Sequence, residues 1–498
     1  MILQKLIINW SELIGCSDAA LTLLISLLLG YPIAFIHRKC LFGASPNIQH
    51  IYFITCGIIL CCFNYGFDVI HSLASITITY LVLKIFKGGL TSLLIVFTYT
   101  MLHLTVGYWA TATSTYDIKW TMPQCVLTLR LIGLAFNVYD GSQPQESLSE
   151  ENRKVALQTV PSILEVFAHS YFPASFLVGP QFSFKRYKDF VELKLEEKDN
   201  PKELPRSLGE SRKSLFLGLT YLIMYQIGSL YIPDSYFTSE EYFYLNIFKK
   251  IFFLGLWGRF TLYKYISCWL ITEGSCIMMG LTYNGLDEKE KPKWDGCSNV
   301  KLKVFETSTK MNHYIESFNI NTNQWIAQYI YKRLKFLRNK NLSYLGALVF
   351  LAIWHGLHSG YYATFLFEFL VITSEKHVVR LFQNTALYKM ILETKITHLM
   401  LKFLLHVYTF VIMGYSMIPF ILLKQDKYIQ VYKQFYFIPH IICLTIILLG
   451  PILNRRTSRR VMTSPTPTPR NPESGESNPT IDNKLSESSN SNDRKKTN

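Results

Sequence analysis

Two histidines and a glutamate interrupt a long apolar stretch in the C-terminal half of the chain. His355, His358 and Glu368 lie within residues 345–373, which are apolar and numerous enough to cross a bilayer, since about 20 residues suffice. If the crossing begins near residue 345, His355 lies about 15 Å along the helix, close to the bilayer centre. An ionisable side chain at that depth is costly, so it indicates a functional site; a neutral histidine hydrogen-bonded between packed helices is the structural alternative.

The spacing of these residues favours the functional interpretation. On one continuous helix, His355, His358 and Tyr362 fall at positions i, i+3 and i+7 and share a face. Gly356 and Gly360 form a small-x-x-x-small pair, which predicts that another helix packs closely here. A metal site at the two histidines is a weaker alternative, because no cysteine or second carboxylate–histidine pair has matching spacing.

The same stretch resembles a known signature. It fits the pattern WHGxxxGYxxxF of the membrane-bound O-acyltransferases, specifically of their lysophospholipid branch. Every fixed position of the pattern is matched, by Trp354, His355, Gly356, Gly360, Tyr361 and Phe365.

A second element of the resemblance is an asparagine upstream of the histidine. Asn319 precedes His355 by 36 residues (355 − 319) and follows Phe318, where the family usually has a tryptophan. Asn321 is the main rival for this position, and a third asparagine, Asn323, lies nearby. The structural alternative is that these asparagines cap the start of a helix.

Three shorter signatures occur in the order that the family has them. The pair Trp294-Asp295 matches an upstream WD motif, although a structural role for Asp295, capping or bridging a loop, is the alternative. The last apolar runs match YxxxxF at residues 415–420 and YxxxYFxxH at residues 432–440. Their fixed positions are Tyr415, Phe420, Tyr432, Tyr436, Phe437 and His440. Aromatic stripes usually pack in cores, so each signature alone is weak, but the ordered set is specific.

The resemblance implies an all-α, polytopic membrane enzyme with a central active site inside the membrane. It implies transfer of a fatty acyl group from acyl-CoA, a co-substrate, to the free sn-2 hydroxyl of a lysophospholipid, without a cofactor or metal. Lysophosphatidylcholine is the expected acceptor, with lysophosphatidylethanolamine and lysophosphatidylserine as further ones. In this scheme His355 is the general base, Asn319 polarises the carbonyl or orients the hydroxyl, and the other motif residues line the substrate site.

Composition agrees with a membrane protein. Of the 498 residues, 49% are hydrophobic, and apolar runs recur up to about residue 453. These runs predict about ten or eleven membrane segments. The formal net charge is +15, but the basic residues cluster beside apolar runs, which indicates anionic lipid headgroups rather than nucleic acid. The basic cluster at residues 332–340 either contacts the phosphates of coenzyme A or, as we favour, extends to lipid headgroups.

The sequence divides into a membrane domain, residues 1–453, and a polar tail, residues 454–498, whose composition predicts disorder. Arginines at 455, 456, 459 and 460 follow the last apolar run and predict a cytosolic C-terminus by the positive-inside rule. The terminal sequence Lys495-Lys496-Thr497-Asn498 resembles a dilysine retrieval signal that cytosolic coat proteins read. The expected location is therefore the endoplasmic reticulum membrane.

Two other classes of protein remain as alternatives. A transporter or channel would also place histidines in the membrane, but it usually has internal repeats or paired broken helices, which are not evident here. A relative that acylates a secreted protein would share the histidine motif, but the two tyrosine signatures argue against it.

Overall fold

The protein is built almost entirely of α-helices, which confirms the predicted fold class. The computed structural model describes residues 2–113, 118–195, 207–383 and 385–463. Within these ranges, β-structure is confined to two isolated bridges, Leu286–Pro292 and Val300–Phe318. The helices are α1 (Ile2–Ile14), α2 (Asp18–Ile36), α3 (Pro46–Tyr65), α4 (Val69–Ile85), α5 (Leu90–Ala110), α6 (Thr121–Gly141), α7 (Glu150–Val155), α8 (Ile163–Ser170), α9 (Phe184–Val191), α10 (Leu208–Tyr231), α11 (Glu240–Tyr244), α12 (Ile247–Met279), α13 (Leu302–Glu306), α14 (Met311–Ser317), α15 (Ile320–Ile326), α16 (Lys340–His355), α17 (Ser359–Phe382), α18 (Ala386–Glu393), α19 (Lys395–Leu422), α20 (Gln425–Gln434) and α21 (Ile438–Thr463).

Several of these helices are long and apolar enough to cross a membrane, so the protein is a multi-pass membrane protein. In the described part of the chain, six helical segments meet this test, and α20 with α21 form a seventh candidate that is bent by 81°. The number is lower than the ten or eleven expected from apolar runs. One reason for the lower number is that residues 46–85 form a single candidate span, although a short turn at Gly66–Asp68 divides them into α3 and α4. A second reason is that α12 and α17 carry inward-facing carboxylates, such as Glu273 and Glu368, which make these helices less apolar.

The central apolar stretch is broken, so the expectation of one continuous helix through residues 345–373 is wrong. Helix α16 ends at His355, Gly356 adopts a φ of +140°, and α17 begins at Ser359. This conformation lies in the region that favours glycine, because a Cβ atom would be strained there. His358 lies just before α17, so the predicted shared face of His355, His358 and Tyr362 does not exist.

Helix α12 lies at the centre of the fold, and glycines bring its neighbours close. It packs against α2, α10 and α19. Where α12 crosses α19, a Cβ on Gly258 would lie 2.4 Å from the Cα of Gly414. Small residues allow this kind of backbone contact, which provides much of the attraction between helices in lipid. The crossing fixes the position of α19, whose C-terminal part reaches the central cavity.

The last described helix extends into the segment predicted as the tail. Helix α21 runs to Thr463, whereas the tail was predicted to begin at residue 454. The remaining tail, including the dilysine sequence at Lys495 and Lys496, lies outside the described residues.

The glycine contact between α12 and α19 yields a stability prediction. We expect Gly258→Ala to lower the free energy of unfolding by about 1–3 kcal/mol, because the added methyl meets backbone that cannot move aside. Gly209→Ala, at the start of α10, is the matched control, since a Cβ there meets nothing within 4 Å. Thermal unfolding of the two detergent-solubilised variants, followed by size-exclusion chromatography, checks this. Equal midpoints for Gly258→Ala and wild type would show that the crossing is not tightly packed.

Candidate active site

Some of the residues singled out for chemistry border one large internal cavity. Its volume is about 1060 Å³, and its wall is formed mainly by apolar side chains from α2, α10, α12, α17 and α19. His355 and Asn319 both lie on this wall. The structure therefore brings together the two residues predicted as the catalytic pair, although they are 36 positions apart in the sequence (355 − 319).

Aromatic rings hold the imidazole of His355. Its ring centroid lies 5.4 Å from that of Phe365 in a stacked arrangement, and 5.0 Å from that of Phe420, edge to face. The rings of Trp354 and Tyr361 lie at 4.7 and 5.7 Å. Within the described residues His355 makes no hydrogen bond, and its side chain lines the cavity. The ring is thus positioned by contacts with aromatic rings at the cavity wall.

Two hydrogen bonds anchor the end of α16 that carries this histidine. The indole Nε1 of Trp354 donates to the carbonyl oxygen of Cys125 on α6 at 2.8 Å. The hydroxyl of Tyr108 on α5 donates to the carbonyl oxygen of Trp354, also at 2.8 Å. The tryptophan of the motif thus fixes the backbone next to His355 on two sides.

The two motif glycines have different roles. Gly356 breaks the helix, contrary to the expectation of a glycine pair on one helix face, and a Cβ there would lie 3.0 Å from the ring of Tyr361. Gly360 does allow close approach: a Cβ there would lie 2.0 Å from the carbonyl oxygen of Pro419 on α19. Its N–H also donates to the carbonyl oxygen of Leu423 at 3.1 Å. This contact brings Phe420 of α19 against the ring of His355.

The structure separates Asn319 from its rivals. Asn319 has a φ of +52° just before α15, and its side chain makes no capping hydrogen bond, so the capping interpretation does not apply to it. Asn321 donates to the carbonyl oxygen of Cys297 at 3.0 Å. Asn323 donates to the carbonyl oxygens of Ile315 and Phe318, both at 2.9 Å. The side-chain amides of Asn321 and Asn323 therefore already donate to backbone carbonyl oxygens, whereas the amide of Asn319 does not.

Several motif residues lie away from the cavity wall, although they were expected to line the substrate site. Trp294 is buried against the ring of Tyr283, at 5.5 Å, and Asp295 accepts a hydrogen bond from Asn284 at 2.9 Å. This agrees with the structural alternative for Asp295, which bridges its loop. Tyr436 is 77% exposed, at the break between α20 and α21.

The tyrosines of the last helices form a buried cluster behind α17. The hydroxyl of Tyr415 is hydrogen-bonded to Nδ1 of His440 at 3.0 Å, and the rings of Tyr415 and Tyr432 stack at 4.5 Å. Phe367 on α17 packs against His440 at 4.6 Å. These residues pack against α17 and do not form part of the cavity wall.

Sequence reasoning missed one residue of the site, Asn299. Its side-chain Nδ2 lies 3.3 Å from Oδ1 of Asn319, and it lines the cavity. It follows the WD motif by a few positions, but no periodicity or known signature marks it.

A smaller polar pocket adjoins the main cavity. Its volume is about 260 Å³, and Gln181 lies on the walls of both. Two guanidinium groups face it. Arg130 donates to the carbonyl oxygens of His169 and Ser175, each at 3.0 Å. Arg186 donates to the carbonyl oxygen of Leu281 at 2.9 Å. Among the described residues neither guanidinium has a carboxylate partner within ion-pair distance, so the pocket is positively charged.

The basic cluster at residues 332–340 is partly neutralised by acidic residues. Nη2 of Arg333 lies 2.5 Å from the buried carboxylate of Asp140. Lys332 forms an ion pair with Glu151. These two cations hold the segment after α15 against α6 and α7.

The fold and the site together, a histidine and an asparagine on the wall of a largely apolar cavity in a multi-pass helical protein, point to the class of protein. The profile of the membrane-bound O-acyltransferase family matches residues 105–422. The chain belongs to this family, and the protein is an acyltransferase.

Similarity to particular relatives extends over most of the chain. It is 46% identical over 425 residues to lysophospholipid acyltransferase 5 of Drosophila melanogaster, covering 84% of each chain. It is 43% identical over 442 residues to the human protein of the same name, covering 89% of this chain and 90% of the relative. The protein of that name from Caenorhabditis elegans is 35% identical over 452 residues, which cover 89% of this chain and 93% of the relative.

The tyrosine cluster yields a second prediction. We expect Tyr415→Phe to lower the free energy of unfolding by about 1 kcal/mol, because it leaves Nδ1 of His440 without its hydrogen-bond partner. The acyl-transfer rate per folded molecule should stay within about twofold, since the lost hydroxyl does not face the cavity. Tyr436→Phe, at an exposed position, is the control and should change neither quantity. A large loss of rate for Tyr415→Phe at wild-type stability would place this hydroxyl in the reaction.

Proposed function

We propose that the protein transfers a fatty acyl group from acyl-CoA to the free sn-2 hydroxyl of a lysophospholipid. Lysophosphatidylcholine is the main acceptor, and lysophosphatidylethanolamine and lysophosphatidylserine are further ones. The observation that carries the proposal is the largely apolar cavity of about 1060 Å³ with His355 and Asn319 on its wall. Two lipid-like substrates can reach such a cavity with their acyl chains in apolar surroundings. The names of the relatives, lysophospholipid acyltransferase 5, support the acceptor class.

His355 fits the role of general base. A glycerol hydroxyl is a poor acid, so its proton must be removed as the oxygen attacks the thioester carbonyl carbon. An ordinary imidazole is largely neutral at pH 7 and can take this proton on a ring nitrogen, and His355 lines the cavity. As the carbon–sulfur bond breaks, the imidazolium returns the proton to the sulfur. Ester and coenzyme A thiol leave with no net change in charge.

Asn319 fits the role of the group that stabilises the oxyanion. Its amide carries N–H donors but no charge, so it can lie in an apolar cavity at less cost than a lysine or arginine. A donor directed at the carbonyl oxygen becomes more effective as negative charge develops there, and such a donor is worth about 10²–10³-fold in rate.

The small polar pocket supports acyl-CoA as the donor. Coenzyme A carries several phosphate groups, and guanidinium groups are well suited to bind phosphate. Arg186 supplies one such group next to the main cavity. The guanidinium of Arg130 already donates to protein oxygen atoms, so it adds positive charge to the pocket but no free donor. The cluster at residues 332–340 fits this role less well, because Arg333 and Lys332 are already paired with acidic residues.

The experiment that tests the function is an assay of isolated microsomes with a panel of lysolipids. We expect labelled diacyl product from acyl-CoA and lysophosphatidylcholine, less from the ethanolamine and serine analogues, and none without acyl-CoA. A panel that yields no diacyl product, while a secreted acceptor peptide is labelled, would support the protein-acylating alternative.

Variants in the same assay test the catalytic roles. At equal expression, His355→Ala should abolish transfer, and Asn319→Ala should lower kcat by about 10²-fold or more. His358→Ala is the control, because this residue lies outside the cavity wall and its loss should have a mild effect. An active His355→Ala enzyme would exclude the assigned general base.

We also propose that the protein resides in the endoplasmic reticulum with a cytosolic C-terminus, as the arginines after the last apolar run and the dilysine sequence indicate. Replacing Lys495 and Lys496 with serine should let part of the protein reach the Golgi, seen by microscopy. A C-terminal tag should be digested by protease added to sealed microsomes; protection of the tag would contradict this topology.

A further inference from the structure

The backbone around Asn319 is paired with a second segment that precedes it. The N–H of Lys301 donates to the carbonyl oxygen of Ser317 at 2.9 Å, and the N–H of Ile320 donates to that of Asn299 at 3.1 Å. Val300 and Phe318 form an antiparallel bridge between these two bonds. Asn299 is therefore held beside Asn319 by backbone hydrogen bonds and does not depend on a flexible side-chain contact.

The hydrogen bonds around Asn299 fix the orientation of its amide. The N–H of Asn321 lies 2.9 Å from Oδ1 of Asn299. A backbone N–H can only donate, so the atom that faces it must be the oxygen of the amide. The NH₂ group of Asn299 is then left to donate to Asn319, whose Oδ1 lies 3.3 Å away.

This contact determines which half of the Asn319 amide faces the substrate. Because Oδ1 of Asn319 accepts from Asn299, its NH₂ group occupies the other branch of the planar amide. Among the described residues, this NH₂ group has no acceptor, and the side chain lines the cavity. Its donor is available to a substrate oxygen.

Asn299 is itself firmly placed. It is only 2% exposed, and its backbone N–H donates to a carboxylate oxygen of Glu273 on α12 at 3.4 Å. The helix at the centre of the fold thus supports the loop that carries the asparagine pair.

We propose that Asn299 is a positioning residue of the acyl-transfer reaction: it holds the amide of Asn319 with the NH₂ group towards the thioester carbonyl. This inference rests on the proposed function of the site. Without Asn299, the amide of Asn319 can rotate and present its oxygen to the developing oxyanion. A donor that stabilises charge would then be replaced by an acceptor that repels it.

Asn299→Asp tests this role with little change in shape. The aspartate keeps an acceptor for the N–H of Asn321 but presents a second acceptor, in place of a donor, to Oδ1 of Asn319. We expect kcat for lysophosphatidylcholine acylation to fall by about 30- to 100-fold, with KM for acyl-CoA within about threefold of wild type. Asn284→Asp is the matched control. This variant also replaces an amide donor with an acceptor oxygen, in this case facing an oxygen of Asp295 away from the cavity. Its kcat should stay within about twofold of wild type.

A double-mutant cycle separates positioning from a general structural effect. If Asn299 acts through Asn319, Asn299→Asp should cause less than about threefold further loss in an Asn319→Ala background. A second variant, Asn299→Ala, removes the donor without placing a charge near Glu273. It should likewise cause less than about threefold further loss of kcat in the Asn319→Ala background.

The outcomes of this experiment are distinct. Wild-type kcat in Asn299→Asp, or an equal loss in the presence and absence of Asn319, would overturn the positioning role. Failure of the proposed function would be recognised separately, because the wild-type enzyme would then form no diacyl product.

Discussion

The helix break at Gly356 is the constraint on which the geometry of the site depends. Because this glycine adopts a φ of +140°, α16 ends at His355, and no further helical turn follows it. The chain then enters α17, which brings Tyr361 and Phe365 back against the same imidazole. A residue with a Cβ atom would be strained at this position, so the glycine of the motif is needed for its backbone. The histidine is thereby presented at a helix end, held by rings at the cavity wall.

A second constraint is the cost of polar groups in apolar surroundings. Buried amides without partners are destabilising. Asn321 and Asn323 donate to backbone carbonyl oxygens, and Asn299 donates to Oδ1 of Asn319. Among the described residues, the NH₂ group of Asn319 has no such acceptor, and its side chain lines the cavity. An incoming thioester carbonyl would supply the missing acceptor. In the proposed reaction this unpaired donor stabilises the developing oxyanion, which would link substrate binding to stabilisation of the transition state.

Much of this could be predicted from the sequence, for identifiable reasons. Apolar runs indicate membrane helices regardless of how they pack, so the fold class followed directly. The signature around Trp354 and His355 located one side of the cavity. The preceding aromatic residue, Phe318, favoured Asn319 over Asn321, because the asparagine of the resembled signature also follows an aromatic residue. Hydropathy could not reveal the break at Gly356, because the residues on both sides of it remain apolar.

Other features depend on tertiary contacts that leave little trace in the sequence. Tyr415 and His440 belong to a signature, but the signature does not show that their hydrogen bond lies behind α17 and outside the cavity. Asn299 acts through a backbone pairing between residues 299–301 and 317–320, for which the sequence has no periodic pattern. The glycine crossing of Gly258 and Gly414 likewise joins positions far apart in the chain.

The most direct measurement of the central claim is a cryo-electron microscopy structure of the enzyme with both substrates in place. The sample would contain an uncleavable acyl-CoA analogue and lysophosphatidylcholine. We expect the free hydroxyl within about 3.2 Å of a ring nitrogen of His355, and the acyl carbonyl oxygen within hydrogen-bond distance of the NH₂ group of Asn319. Both reacting groups bound in the cavity but far from these two side chains would contradict it.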